Sequence, residues 1–75
     1  MDFTIEAEQE TDGRWIAEIP ELPGVLAYGT TKAYACEKAK ALAFRVLAER
    51  IEMGSSLPYI NQVCFSSQHE PVAVN

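Results

Sequence analysis

Residues 2–19 read DFTIEAEQETDGRWIAEI, and they decide the fold. They contain two runs in which apolar and polar residues alternate, which is the pattern of a strand with one buried face. The apolar positions of the two runs, predicted to share that face, are Phe3, Ile5, Ala7, Trp15, Ala17 and Ile19. Between the runs, Asp12-Gly13 favours a tight turn because Gly tolerates a positive φ. The stretch therefore predicts a β-hairpin.

A rigid corner follows at residues 20–24, PELPG. Each Pro fixes φ and lacks a backbone donor, so the segment is excluded from the middle of a sheet. Pro23-Gly24 fits a type II turn, in which Gly supplies the positive φ. We favour this structural interpretation of the corner over a binding motif. Residues 25–28, VLAY, then predict a third short strand.

The longest periodic segment runs from Lys32 to Met53 and contains neither Gly nor Pro. Thr30 or Thr31 is expected to cap its start, and Gly54 its end. An apolar stripe recurs along it at helical spacing, formed by Ala35, Cys36, Ala39, Leu42, Ala43, Val46, Leu47 and Ile51. This pattern predicts one amphipathic helix that packs on a sheet.

Residues 60–66 predict a fourth strand, and residues 67–75 are interpreted as a C-terminal tail. We therefore expect a single α+β domain over residues 1–66, in the order β-β-β-α-β. A three-stranded antiparallel sheet would be followed by the long helix and the fourth strand. The helix would cover one face of an antiparallel sheet.

Charge restricts the function. The chain of 75 residues has six Lys and Arg against eleven Asp and Glu, which gives a net charge of −5. Nucleic-acid binding draws much of its affinity from cations on phosphates, so we expect no direct nucleic-acid binding by this chain alone. An acidic surface suits a basic protein partner, because complementary potentials speed encounter and fix orientation.

The sequence predicts a cytoplasmic protein with no membrane contact. Its start lacks the basic-then-apolar pattern of a signal peptide, and no apolar run approaches the roughly 20 residues that span a bilayer. Cys36 and Cys64 are therefore expected to stay reduced. Cys36 falls on the apolar stripe and is interpreted as a small core residue, whereas Cys64 is open to either interpretation.

No catalytic, metal or cofactor site is expected, so we predict that the chain is not an enzyme. His69 stands in a polar segment without the orienting acid and nucleophile that a catalytic histidine needs. Metal-dependent nuclease chemistry needs several converging carboxylates. The carboxylates near the N-terminus, which are better explained as a solvated strand face and turn, are Glu6, Glu8, Glu10 and Asp12.

Strand geometry also predicts an apolar patch on the face away from the helix. Neighbouring residues of a strand point to opposite sides, so Ile16, Leu26 and Tyr28 fall on that outer face. Clustered exposed apolar groups are typical of an interface. The candidate interface, with its acidic rim, consists of Glu6, Glu8, Ile16, Glu18, Leu26 and Tyr28.

The order of these motifs resembles the HicB family. The resemblance covers roughly residues 3–54, and its motifs are Asp12-Gly13-x-Trp15-x-Ala17, Pro20-Glu21-Leu22-Pro23-Gly24-Val25, Gly29-x-Thr31 and an Ala-rich helix. It implies a partly degraded ribonuclease-H-like fold and a role as the antitoxin of a toxin–antitoxin pair. The implied partner is a HicA-type toxin, a small basic ribonuclease that cleaves messenger RNA and whose active surface the antitoxin covers.

Two alternatives to the antitoxin function stay open. A solitary domain that self-associates or binds a different protein is the first, and homo-oligomerisation is expected because so small a core gains from a partner. An enzyme with residual nuclease activity is the second and is ranked last. Family members often carry an additional C-terminal DNA-binding domain, for which the residues after 66 leave no room, so any DNA binding is expected from another chain.

Overall fold

The computed structural model describes residues 2–54 and 63–67. Its elements, in chain order, are β1 (Asp2–Gln9), β2 (Trp15–Glu18), β3 (Leu26–Gly29), α1 (Lys32–Glu52) and β4 (Cys64–Ser67). The α+β class and the order β-β-β-α-β are therefore confirmed. The fourth strand was predicted over residues 60–66, of which 60–62 lie outside the described residues, as does most of the predicted tail.

The predicted hairpin forms between β1 and β2. The two strands are antiparallel, with Glu6 opposite Glu18 and Gln9 opposite Trp15. The connection is closed by hydrogen bonds from the Glu10 amide to the Arg14 carbonyl (2.7 Å) and from the Gly13 amide to the Glu10 carbonyl (2.9 Å). Gly13 has a φ of 94°, the positive value that the Asp12-Gly13 pattern predicted.

The corner at residues 20–24 consists of two successive turns. The amide of Leu22 donates to the carbonyl of Ile19 (2.9 Å), and the amide of Val25 donates to the carbonyl of Leu22 (3.0 Å). Gly24 has a φ of 90°, as the third residue of a type II turn requires. Leu22, at the junction of the turns, is buried in the core. The corner thus anchors itself to the core while it reverses the chain.

The sheet is mixed, with strand order β3-β2-β1-β4. Strands β1, β2 and β3 form the expected antiparallel unit, whereas β4, whose pairing the sequence left open, pairs parallel to β1. The reason is directional. Strand β3 runs the same way as β1, and a helix returns the chain so that the following strand repeats that direction. Strand β4 then finds its partner at the open edge of β1.

Helix α1 begins at the predicted Thr31, whose hydroxyl oxygen accepts a hydrogen bond from the Tyr34 amide (3.1 Å). Its buried stripe consists of Ala35, Ala39, Ala43 and Leu47. Ile51, assigned to that stripe from its spacing, is instead 52% exposed. The helix of 21 residues is about 30 Å long, whereas a strand of four residues spans about 13 Å. The last turn therefore extends past β2 and β3.

One core lies between the helix and the inner face of the sheet. The predicted strand parity is confirmed by the buried residues Phe3, Ile5, Ala7, Ala17 and Ile19. Leu22 and Val25 of the corner are buried in the same core. Trp15, Ala27 and Cys36 are partly buried against this core. Phe65 of β4 extends it, with its ring 5.6 Å from both the Phe3 ring and the Phe44 ring. The opposite face of the sheet has no element over it among the described residues.

Candidate protein-binding surface

The outer face of the sheet brings all six predicted interface residues together in two cross-strand rows. In one row Glu6 of β1 is opposite Glu18 of β2, which is opposite Leu26 of β3. In the other row, Glu8 is opposite Ile16, which is opposite Tyr28. Adjacent strands lie about 4.8 Å apart, so each row spans about 10 Å. We call these six residues the outer patch.

The apolar members of the outer patch are accessible to a partner. Leu26 is 41% exposed and Tyr28 is 39% exposed. Ile16, on the strand β2 that lies between β1 and β3, is half-buried. They are neighbours on β2 and β3 and therefore form one cluster rather than scattered side chains. A contiguous apolar cluster at the surface is typical of an interaction site.

Charge is distributed unevenly over the outer patch. Glu6 and Glu8 lie on β1, toward the middle of the sheet, and both are exposed. Glu18 is the exposed residue directly opposite Glu6. Like charges placed opposite one another on adjacent strands destabilise a sheet. The patch therefore has an acidic side that folding does not favour and an apolar side that reaches the β3 edge.

Arg14 also belongs to this surface, although it was not among the interface residues predicted from the sequence. Its guanidinium carbon lies 4.6 Å from the centre of the Tyr28 ring, within the range of a cation–π interaction. Its Nε atom also donates to Oδ2 of Asp12 at 3.0 Å. The sequence pattern could have placed Arg14 on the outer face, because residues 14, 16 and 18 alternate with the inward-facing residues of the same strand. Arg14 thus lies over the tyrosine ring at one end of the patch.

The pKa of the Asp12 carboxyl is lowered beside Arg14. The largest cause is the hydrogen bond from the Arg14 backbone amide to Oδ1 (3.1 Å); desolvation opposes it, and the Arg14 side chain reinforces it. This carboxylate is therefore occupied in stabilising the hairpin turn.

The carboxylates considered for a nuclease site do not form a metal centre in the described structure. Glu6, Glu8 and Asp12 are exposed, and Glu10 is half-exposed at the hairpin turn. Among residues 2–54 and 63–67 there is no group of three or more His, Cys, Asp or Glu placed to hold a metal ion. His69 lies outside the described residues.

The two cysteines occupy different environments. Cys36 is partly buried against the core, as its place on the apolar stripe predicted. Cys64, which the sequence left open, is exposed on β4 opposite Asp2 of β1. Register places Cys64 and Ser66 on the same outer face as Thr4 and the outer patch, so this face continues across β1 to β4.

No helix in the described ranges has the length and apolar character needed to span a membrane. Comparison of the chain with protein-family models, with curated proteins and with solved structures finds no match. Functional inference therefore depends on the sequence motifs and the geometry of the outer patch.

Proposed function

We propose that this chain is an antitoxin-like protein-binding domain of the HicB type, which neutralises a small, basic, messenger-RNA-cleaving toxin of the HicA type. It acts in the cytoplasm and performs no chemistry of its own. The observation that carries the proposal is the outer patch, where exposed apolar residues and exposed carboxylates share a sheet face over which residues 2–54 and 63–67 place no other element.

The patch matches the chemistry of a ribonuclease surface. A protein that binds RNA presents cations to phosphates, and the same cations are attracted to carboxylates. Glu6, Glu8 and Glu18 would meet those cations, while Leu26 and Tyr28 provide apolar contact that excludes water. An RNA strand would be repelled by the same carboxylates, so the patch favours a protein over a nucleic acid.

Neutralisation would occur by occlusion. A rigid sheet face held against the catalytic surface of the toxin blocks access of RNA without any proton transfer or metal. Burial of an aromatic side chain at the centre of such a contact commonly carries much of the binding energy. Tyr28, whose ring contacts the Arg14 guanidinium at 4.6 Å, is suited to that role because this contact favours one orientation of the ring before binding.

The fold supports this proposal at the level of element order. The resemblance implies a partly degraded ribonuclease-H-like domain with three strands, a helix and a further strand, and β-β-β-α-β is the observed order. Its ordered motifs also have structural roles here, since Gly13 and Gly24 occupy turns and Thr31 caps the helix.

The direct test is co-expression with the product of the adjacent gene, which the proposal expects to be a small basic protein. We expect the two proteins to co-purify, and the purified chain to stop messenger-RNA cleavage by that protein at equimolar amounts. A control chain with Leu26→Asp and Tyr28→Asp should remain folded and fail to inhibit. Full inhibition by the double variant, or metal-dependent RNA cleavage by the purified chain alone, would contradict the proposal.

A further inference from the structure

We infer that the edge of β3 is a self-association site, at which a second copy of this chain adds its own β3 antiparallel to form a continuous eight-stranded sheet. Strand order β3-β2-β1-β4 leaves β3 at an edge of the sheet. The inference comes from the direction of its backbone groups and is independent of the proposed toxin binding.

In an antiparallel pair, the backbone groups of alternate residues point toward the neighbouring strand, and this alternation determines which groups of β3 face outward. The Ile19 amide donates to the Val25 carbonyl at 3.1 Å, so residue 25 points toward β2. Backbone groups two residues apart point the same way, so Ala27 and Gly29 also face β2. The amides and carbonyls of Leu26 and Tyr28 therefore point away from the sheet. Within residues 2–54 and 63–67, no hydrogen bond outside the sheet reaches them.

The pairing of β2 with β1 leads independently to the same assignment for β3. The Glu10 amide donates to the Arg14 carbonyl, which makes the even-numbered residues of β1 face β2. Glu8 and Glu6 then pair with Ile16 and Glu18, leaving the odd-numbered residues of β2 to pair with β3. Both routes assign the outward groups of β3 to Leu26 and Tyr28.

These outward groups are self-complementary. They lie on either side of Ala27. If a second copy pairs antiparallel about a two-fold axis at Ala27, Leu26 of each copy lies opposite Tyr28 of the other. Each such pair exchanges two hydrogen bonds, which satisfies every outward amide and carbonyl of the two residues. On the outer face the same register brings an aliphatic side chain beside an aromatic one, a favourable cross-strand pair.

Charge also favours a second copy at this edge. Residues 25–29, VLAYG, contain no charged residue and no Pro, which are the usual devices that block edge pairing. The carboxylates of the outer patch lie on β1 and β2, away from the edge. Two chains of net charge −5 can therefore meet here without bringing those carboxylates together. The paired outer patches would form an apolar centre with an acidic region on each side.

Cross-linking tests the register. Residues at the two-fold position form a non-hydrogen-bonded pair about 4.5 Å apart between Cα atoms, within the range that a disulfide spans. In a chain with Cys36→Ala and Cys64→Ala, we expect Ala27→Cys to form a disulfide-linked dimer under mild oxidation. The matched control Ala41→Cys, on the exposed side of α1, should stay largely uncross-linked.

Sedimentation tests the backbone pairing. The isolated wild-type chain should sediment as a dimer. Leu26→Pro removes one outward amide per copy, and we expect it to raise the dissociation constant of the dimer roughly tenfold to a hundredfold. Leu26→Ala removes the side chain, keeps the amide and should weaken the dimer less.

Three results would overturn the inference. They are a wild-type chain that is monomeric at millimolar concentration, equal cross-linking at positions 27 and 41, and a dimer unaffected by a folded Leu26→Pro variant. If Leu26→Pro fails to fold, the cross-linking comparison decides alone. Each measurement uses the isolated chain, so its outcome does not depend on toxin binding. Leu26 and Tyr28 belong to both surfaces, and the Ala27→Cys comparison, which alters neither residue, separates self-pairing from toxin binding.

Discussion

The carboxylate of Glu21 holds Thr4 by two hydrogen bonds: the Thr4 amide donates to Oε1 at 3.0 Å, and the Thr4 hydroxyl donates to Oε2 at 2.9 Å. Extending the β1–β2 register by two residue pairs beyond Glu6 and Glu18 places Thr4 opposite Pro20, where the chain has turned away. The glutamate in the corner therefore supplies the acceptor that a longer β2 would have supplied. This contact connects the corner to β1.

Replacement of Glu21 should lower the free energy of unfolding by an amount that depends on pH. Desolvation raises the pKa of Glu21, but the hydrogen bonds from the Thr4 amide, its own backbone and the Thr4 hydroxyl together lower it below its ordinary 4.5. A carboxyl whose pKa falls on folding stabilises the fold above its unfolded pKa, and that contribution disappears as the pH falls through the folded pKa.

Wild type should therefore unfold at higher denaturant than Glu21→Gln at neutral pH, and the difference should vanish in acid. Glu21→Ala, which removes both acceptors, should cost about 1 kcal/mol at neutral pH. Denaturant titrations at several pH values measure this, with Glu52→Gln on the exposed last helical turn as the control. A wild-type advantage that grew on acidification would contradict the assignment.

Gly29→Ala should destabilise the domain. A Cβ at Gly29 would lie 2.7 Å from the backbone nitrogen of Ala35 and 2.9 Å from Cδ2 of Tyr34. Because backbone cannot rotate away, β3 and the first turn of α1 must separate, at a cost of about 1–3 kcal/mol. Thermal unfolding measures the loss. Adding Tyr34→Ala should not restore stability, and restoration would show that the side chain alone made the contact.

Glu18→Gln should stabilise the isolated chain while it slows association with a basic partner. It removes one of two opposed like charges, with an expected gain of about 0.2–1 kcal/mol. The same change weakens the attraction that steers a basic protein to the outer patch. Equilibrium unfolding and stopped-flow association measure the two effects. Glu8→Gln is the matched control, since Glu8 is opposite Ile16 and should give less stabilisation with a similar loss in association rate. A Glu18 variant that gained stability without slower association would argue against a binding role.

Strand parity was predictable because period-two alternation alone fixes it. Phe3 and Ile5 are buried, whereas Leu26 and Tyr28 are exposed, as the pattern indicated. The helix and its cap at Thr31 followed for a similar reason, since both are local. These features needed no knowledge of what lies across the fold.

The features that escaped prediction are those set by three-dimensional neighbours. Glu21 and Thr4 are 17 residues apart, and nothing in either local pattern indicates that they meet. The parallel pairing of β4 depends on the path of the whole helix, and the exposure of Ile51 depends on where the sheet ends. The position of Arg14 over Tyr28 also depends on side-chain direction rather than on spacing.

The most direct test of the binding surface compares two tyrosines. Tyr28 on the outer patch and Tyr34 on α1 are 39% and 55% exposed, and each has a cation over its ring, Arg14 at 4.6 Å and Lys38 at 5.2 Å. The measurement is the dissociation constant of the complex with the proposed partner, a small basic ribonuclease, for Tyr28→Asp and for Tyr34→Asp. A loss of at least about a hundredfold is expected for Tyr28→Asp, the scale of a hot-spot aromatic, with near-wild-type binding for Tyr34→Asp. Equal affinities for the two variants, or a loss confined to Tyr34→Asp, would contradict the assignment of the outer patch as the binding surface.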